Sequence, residues 1–484
     1  MSDSPAEGQR TEPPTEIGIH ADTQDEQVRL PDGALDDGCY VEGPESHRQT
    51  ALVHSWCVQW AEAGYGFMYV HPQGPDPHEL LARLPDDRLD DVVWIDVNRR
   101  RISPVLDVPP LHRVTIDPFE IPDRDHEALA VDPVNTRTNA YMDAFSEQSA
   151  FDWRVAHVLS AVLPARFIRD DVGISDVNSA VEVDSLEELC ASQASPDSNA
   201  GQELAIIKRA MRGIFDREGS AARDAGELIR LLYEAYTQNP FMDDTSYDIG
   251  DALSEGHIVL VTGNWATEGA QLRTRLLVAA LCCRLIEAAT ISGVDGPTFP
   301  VVFDRIGELY AGEGDLEQRL MRLSDRLPIA PVFSGPPKDH LEQSLRDFVN
   351  IEFDTRVVVA DPHAHRPDSR FDGERLNLSS SLITWELEAV ERYLQREASG
   401  TVAEGPLCWL RTGCTNRLVG ADGVDQSMEP ALAPDPPEKR HSPEAVAEAI
   451  TRSLERRGIE PLGWSEHFLD KAREEFRNRG SDAY

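Results

Sequence analysis

The stretch "GCYVEGPESHRQTALVHSWCVQWAEAG", residues 38–64, decides the fold. Residues 39–43 form a short β-rich run, and residues 44–48 are polar or turn-forming. From Thr50 onward, apolar residues recur at three- and four-residue spacing until Gly64 ends the pattern. That is a strand, a loop and a helix. The next segments, "GFMYVHP" (66–72), "PHELLARLP" (77–85) and "DVVWIDV" (91–97), add strand, helix and strand. Such alternation within about 60 residues argues for a parallel α/β sheet. The strands are mostly apolar rather than alternating, as strands covered on both faces must be.

The character changes near Phe151. Residues 151–254 carry helical spacing almost throughout ("WRVAHVLSAVLPARFI", "LAIIKRAMRGIF", "AGELIRLLYEAY"), broken by a polar stretch at 192–203. The α/β pattern returns with "HIVLVTG" (257–263), a helix over 270–290, "FPVVFD" (299–304), a helix over 315–327, "IAPVFSG" (329–335) and "TRVVVAD" (355–361). The expected organisation is a disordered acidic leader (1–33), a core in two parts (34–150 and 255–427), a helical insertion domain (151–254), and a linker with a C-terminal helical tail (428–484).

In an open parallel sheet, ligands sit beyond the carboxyl ends of the strands. The loop after the first strand therefore invites comparison with the phosphate-loop pattern GxxxxGK[ST]. In that pattern the second Gly lets backbone N–H groups face phosphates, the Lys balances their charge and the hydroxyl holds Mg²⁺. Gly43 fills the first position, followed by Pro44, Glu45, Ser46 and His47. Arg48 falls on the second Gly, Gln49 on the Lys, and Thr50 keeps the hydroxyl. On pattern alone, these residues read as an ordinary strand-to-helix turn with Ser46 as N-cap.

Composition bounds the setting. The chain has 484 residues, 46 Lys and Arg against 86 Asp and Glu, and a formal charge of −40. Only Lys208, Lys338, Lys439 and Lys471 are lysines. With 40% apolar residues the chain still builds a core. An acidic, lysine-poor surface fits a cytosol at molar salt, where repulsion is screened over roughly 3 Å. It excludes a basic nucleic-acid-binding module of the usual kind. The seven cysteines form no CxxC pair, which suits reduced, structural thiols in a cytoplasmic protein. Charges interrupt the most apolar helical run, Leu272 to Ala289, so no membrane insertion is expected.

The ordered segments resemble the HerA–FtsK superfamily of ring-forming DNA-pumping ATPases, nearest to the TraG/TraD-like coupling ATPases of conjugation and their archaeal relatives. The likeness runs through the loop at 43–50 and the turn His71-Pro72-Gln73-Gly74. It continues through "DALSEGHIVLV" (251–261), "PTFPVVFDRIGEL" (297–309), "DFVNIEFDTRVVVAD" (347–361) and "AITRSLERRG" (449–458), and so covers about residues 38–460. It implies a RecA-like P-loop NTPase sheet with an all-helical insertion. It further implies ATP and Mg²⁺ as cofactors, a ring of self or of an active ATPase paralogue, and DNA as substrate.

The departures are specific. The family's Walker B strand ends in Asp-Glu, with the Asp supporting Mg²⁺ and the Glu orienting the attacking water. Asp304 keeps the first role and, with Thr50, is the expected metal ligand. Arg305 stands in the second place, and Glu308 lies one turn onward as a possible substitute base. The sensor Gln that ends the next strand is replaced by Ser334 and Gly335. The resemblance therefore implies a catalytically degenerate, structural or regulatory member of a DNA-transfer or DNA-processing assembly. The alternative is an active ATP-driven translocase whose losses are covered by Arg48, Arg305 and Glu308. The basic cluster Asn98–Arg101 reads as a solvated turn, and His363 and His365 lack further metal ligands. Trp56 and Trp60, four apart on one helix, read as core.

Overall fold

The computed structural model describes residues 13–97 with short breaks, 114–117, 133–146, scattered positions of 151–163, and 224. It also describes 245–309 and 327–360 with breaks, 407–412, 426–427, 431–432 and 437–459. Along the chain lie β1 (Glu16–His20), β2 (Gln27–Arg29), β3 (Cys39–Glu42), α1 (His47–Glu62), β4 (Phe67–His71) and α2 (Asp76–Leu81). A 3₁₀ turn (Asp86–Asp91), β5 (Val92–Asp96), α3 (Pro133–Ser146), α4 (Ile249–Glu255), β6 (Ile258–Thr262) and α5 (Glu268–Ser292) follow. Next come β7 (Phe299–Phe303), α6 (Ile306–Leu309), β8 (Ile329–Gly335), α7 (Gln343–Glu352) and β9 (Thr355–Ala360). The last elements are β10 (Leu407–Thr412), β11 (Gln426–Ser427), β12 (Ala431–Leu432) and α8 (Pro443–Arg456).

Hydrogen bonding orders the strands β2-β1-β12-β10-β9-β3-β8-β7-β4-β6-β5, with β11 paired to β10. The seven strands from β9 to β5 are parallel, as the apolar runs require. Every residue of β3, β4, β6, β7 and β8 is buried, so both faces of the sheet are covered. Gly66, entering β4, is obligatory: a Cβ there would lie 2.5 Å from the Gly256 carbonyl carbon and the His257 oxygen. That close approach seats β4 against the turn before β6.

The remaining strands pair antiparallel, an extension the sequence reading lacks. Among the described residues, part of the segment expected to be a disordered leader is ordered. Residues 16–20 and 27–29 are strands, and Ile17 and Val28 join the core. The segment is held by α1: Trp56 Nε1 donates to the Glu16 carbonyl at 2.9 Å and Trp60 Nε1 to Thr15 Oγ1 at 2.9 Å. The Gln59 amide receives Glu16 N at 2.8 Å and returns a bond to Glu16 O at 3.4 Å, as a neighbouring strand would. Both tryptophans are fully buried, with ring centroids 6.4 Å apart.

Most of the expected helical insertion lies outside the described residues, but its base does not. Ser246 N donates to Thr115 O at 2.9 Å, and Thr115 N and Asp117 N donate to Ser246 Oγ and Thr245 Oγ1. The chain leaving the core and the chain returning to it are thus joined. Arg284 of α5 clamps the pair through Thr245 Oγ1 (3.0 Å) and Asp117 O (3.3 Å). One turn away, Arg137 of α3 holds Glu287 of α5 through two bonds of 2.9 and 2.7 Å.

The C-terminal helix α8 starts from a Ser442 cap and buries Val446, Ala449, Ile450 and Leu454, one helical stripe. Ser453 Oγ bonds Val92 O on edge strand β5. Lys439–Glu79, Arg440–Glu62 and Arg456–Asp90 ion pairs fasten its approach and outer face. Residues 460–484 of the expected tail lie outside the described residues. Among the described residues, no helix is long and apolar enough to cross a membrane.

Candidate functional site

Strands β3, β8, β7 and β4 end side by side, and the residues singled out from sequence converge there. Gly43 follows β3 and donates its N–H to Gly335 O at 3.2 Å. Its missing side chain matters less for φ than for space, since a Cβ would stand 3.3 Å from Val359 Cβ and O. Ser46 and the side chain of Arg48 lie outside the described residues, although Arg48 falls within α1.

Gln49, at the lysine position, points inward. It is 5% exposed, and its Nε2 donates to Val41 O and, at 2.8 Å, to Gly335 O. A primary amide has two N–H groups. Both are used to tie the end of β3 to the end of β8.

Asp304, directly after β7, is 1% exposed. Its Oδ1 accepts the Ser334 hydroxyl from β8. Its Oδ2 accepts Tyr69 Oη from β4 at 2.8 Å and Thr50 Oγ1 from α1 at 3.3 Å, while His71 Nε2 stands 3.5 Å away. Tyr69 donates to the carboxylate, so the His54 Nε2 lying 3.1 Å from the phenol must be its donor, which sets the imidazole tautomer. Ser334 likewise donates to Asp304 and accepts Arg305 N at 3.2 Å. Nearby, burial pushes the Cys57 thiol well up and the Asp304 charge pushes it further, which makes that cysteine unreactive.

Arg305 has φ 55°, the sole positive value at a non-glycine among the described residues. Left-handed backbone costs roughly 1–2 kcal/mol at a residue with a Cβ. The turn after Asp304 is held by the Arg305 N–Ser334 bond. A Gln at Gly335 would require Tyr40 to shift, because a Cβ there would stand 2.6 Å from Tyr40 Oη and 3.0 Å from Ile306 Cγ2. Glu308 lies on α6, its side chain outside the described residues.

Thr50 and Asp304 are therefore brought together, and Gln49 sits beside them. Sequence reasoning missed Tyr69 and His54 as parts of this site. The signal was available: a phenol in the fully buried strand "FMYVH" must find a partner. The positions 98–101, 363 and 365 lie outside the described residues.

At two described positions the arrangement differs from the phosphate-loop pattern. The position where the pattern has a lysine holds the Gln49 amide, bonded to two carbonyls, and the Asp304 carboxylate accepts three hydroxyl bonds. Among the described residues no group of three or more His, Cys, Asp and Glu is placed to hold a metal ion.

The strand order and the Thr50–Asp304 pair define an α/β P-loop NTPase fold. No protein-family model matches the chain, and no curated protein does. Solved structures similar to it include the unbound ΔN70 form of the bacterial conjugative coupling protein TrwB, 12% identical over 70% of this chain and 72% of its own, with a TM-score of 0.40. TrwB in complex with ADP and Mg²⁺ is 12% identical over 74% and 81%, again at 0.40. VirB4 of Thermoanaerobacter pseudethanolicus is 10% identical over 91% and 100%, at 0.48.

Proposed function

We propose that this chain is a HerA/TraD-like subunit of a DNA-transfer or DNA-processing assembly that has given up ATP hydrolysis. It acts as a structural or regulatory partner, in a ring with an active ATPase paralogue or with itself, in a salt-rich cytoplasm. The observation that carries the loss of hydrolysis is the inward bonding of Gln49 to Val41 and Gly335. Arg305 in place of the base and Gly335 in place of the sensor point the same way. Losing one such element typically costs about two to three decades in rate. The DNA role rests on the order of the sequence segments. Any DNA contact in this acidic chain must be local and arginine-based, because phosphate contacts lose affinity steeply with salt.

The test is ATP turnover and fluorescent-nucleotide binding by the full chain in molar KCl, with and without DNA. No turnover above a heat-inactivated control is expected, with or without DNA. Turnover that disappears in Asp304→Ala would overturn the proposal. It would favour an active translocase, the reading that the retained Thr50–Asp304 contact supports.

A further inference from the structure

The hydrogen bonds around Asp304 close on themselves. Starting on α1, Gln49 bonds Gly335 at the end of β8 (2.8 Å), and the adjacent Ser334 bonds Asp304 after β7. Asp304 accepts Tyr69 of β4 (2.8 Å), which pairs with His54 back on α1 (3.1 Å). Thr50, between the two ends on α1, reaches the same carboxylate at 3.3 Å. One helix is thus fastened to three adjacent strands, and every side chain in the circuit is buried: Gln49 5%, Thr50 9%, His54 4%, Tyr69 0%, Asp304 1%, Ser334 1%.

We infer that Asp304 has exchanged the role of metal ligand for that of hub in this lock, and that the lock keeps a divalent cation out. The inference rests on the P-loop reading of Thr50 and Asp304 as the metal pair, and says what has become of it. A carboxylate offers about four lone-pair directions. Three are taken by hydroxyl protons, and the His71 ring stands beside Oδ2. Mg²⁺ needs near-octahedral oxygen coordination at roughly 2.0–2.1 Å and keeps several waters. Here the hydroxyl protons of Ser334, Tyr69 and Thr50 already occupy lone pairs on both carboxylate oxygens. The two donors are themselves held: Ser334 Oγ also accepts Arg305 N, and Tyr69 Oη also receives the His54 N–H, so moving either oxygen would stretch a second hydrogen bond. The circuit fastens α1 to β8, β7 and β4 without any ligand.

Mn²⁺ serves as the probe, followed by loss of its free-ion spin-resonance signal on titration into the full chain in molar KCl, which suppresses surface binding. Wild type and Asp304→Asn are expected to give superimposable isotherms. A tight Mn²⁺ site present in wild type and lost in Asp304→Asn would overturn the inference. Ser334→Ala combined with Tyr69→Phe frees Oδ1 and leaves Oδ2 with Thr50, the other residue of the expected metal pair, and is expected to gain a Mn²⁺ site that a further Asp304→Asn removes. A folded double variant without such a site would show that the hydroxyls are not the barrier. If that variant does not fold, the wild-type comparison still decides. ATP turnover in a protein with no Asp304-dependent Mn²⁺ site would sink the loss-of-hydrolysis proposal and leave this inference standing. The reverse pattern would sink this inference alone.

Discussion

At position 49 an amide stands where a phosphate loop has an ammonium, and the two differ in what the surrounding carbonyls can do with them. An ammonium there would have to leave its carbonyls to reach a ligand, whereas the Gln49 amide is complete without one. Removing it leaves two buried carbonyls without that donor, a loss of about 1–3 kcal/mol. Gln49→Ala should therefore lower the urea midpoint without changing nucleotide turnover. A variant that is as stable as wild type would show the amide to be idle. Arg305 is the converse case, a residue whose backbone costs stability. Gly adopts φ 55° freely, so Arg305→Gly should gain up to about 1 kcal/mol, whereas the β-branched Arg305→Val should lose stability. If both variants move the midpoint the same way, side-chain contacts outweigh the backbone.

Helix α5 shows how the elements are joined, since it carries both Arg284 at the insertion base and Glu287 opposite Arg137. Arg137 is fully buried, and cutting it to Ala leaves Glu287 charged in the interior, at a cost of about 3–5 kcal/mol. The double change Arg137→Met with Glu287→Leu should recover most of that loss in the same denaturation assay. The turn between α4 and β6 gives a pH dependence. Burial, and then Arg457, lower the His257 pKa below its ordinary 6.5, while Glu255 at 2.9 Å opposes them only in part. The unfolded chain then binds a proton that the folded one refuses. This contribution to stability is whole above about pH 6.5 and is lost as the pH falls from there toward the folded value. His257→Gln should flatten that part of the pH profile, and parallel profiles for the two proteins would refute the assignment. The parallel strands were legible because burial on both faces writes them as continuous apolar runs. β1, β2, β11 and β12 were not, because strands of two to five residues in polar surroundings owe their existence to partners far along the chain, such as Ile19 opposite Leu432. Likewise Gly43, Gln49, Thr50 and Asp304 follow from a local pattern. Tyr69 and His54 enter the site only once β4 and α1 are placed beside β7.

Over the whole molecule, the arithmetic of charge limits what pairing can achieve. With 46 basic against 86 acidic side chains, even complete pairing would leave 40 carboxylates without a cation. The ion pairs seen at the surface, such as Arg29–Glu16, Lys439–Glu79 and Arg456–Asp90, are exposed on at least one partner. Such pairs contribute about 0–1 kcal/mol each and weaken with salt. The repulsion among the excess carboxylates acts over the whole surface and also weakens with salt, as the screening length shrinks from about 10 Å at 0.1 M to about 3 Å at 1 M. The second effect involves more charges, so salt should stabilise this fold. Melting followed by tryptophan fluorescence across a KCl series should show a Tm that climbs steeply at low salt and levels off toward about 1 M, where screening is nearly complete. A Tm that falls with salt would mean the few ion pairs outweigh the many repulsions. A climb that stays linear beyond about 1 M would assign the gain to exclusion of ions from the surface rather than to screening. The same series bears on the lock at Asp304. Its bonds are buried and scarcely screened, so the Tm loss caused by Tyr69→Phe should hold constant along it.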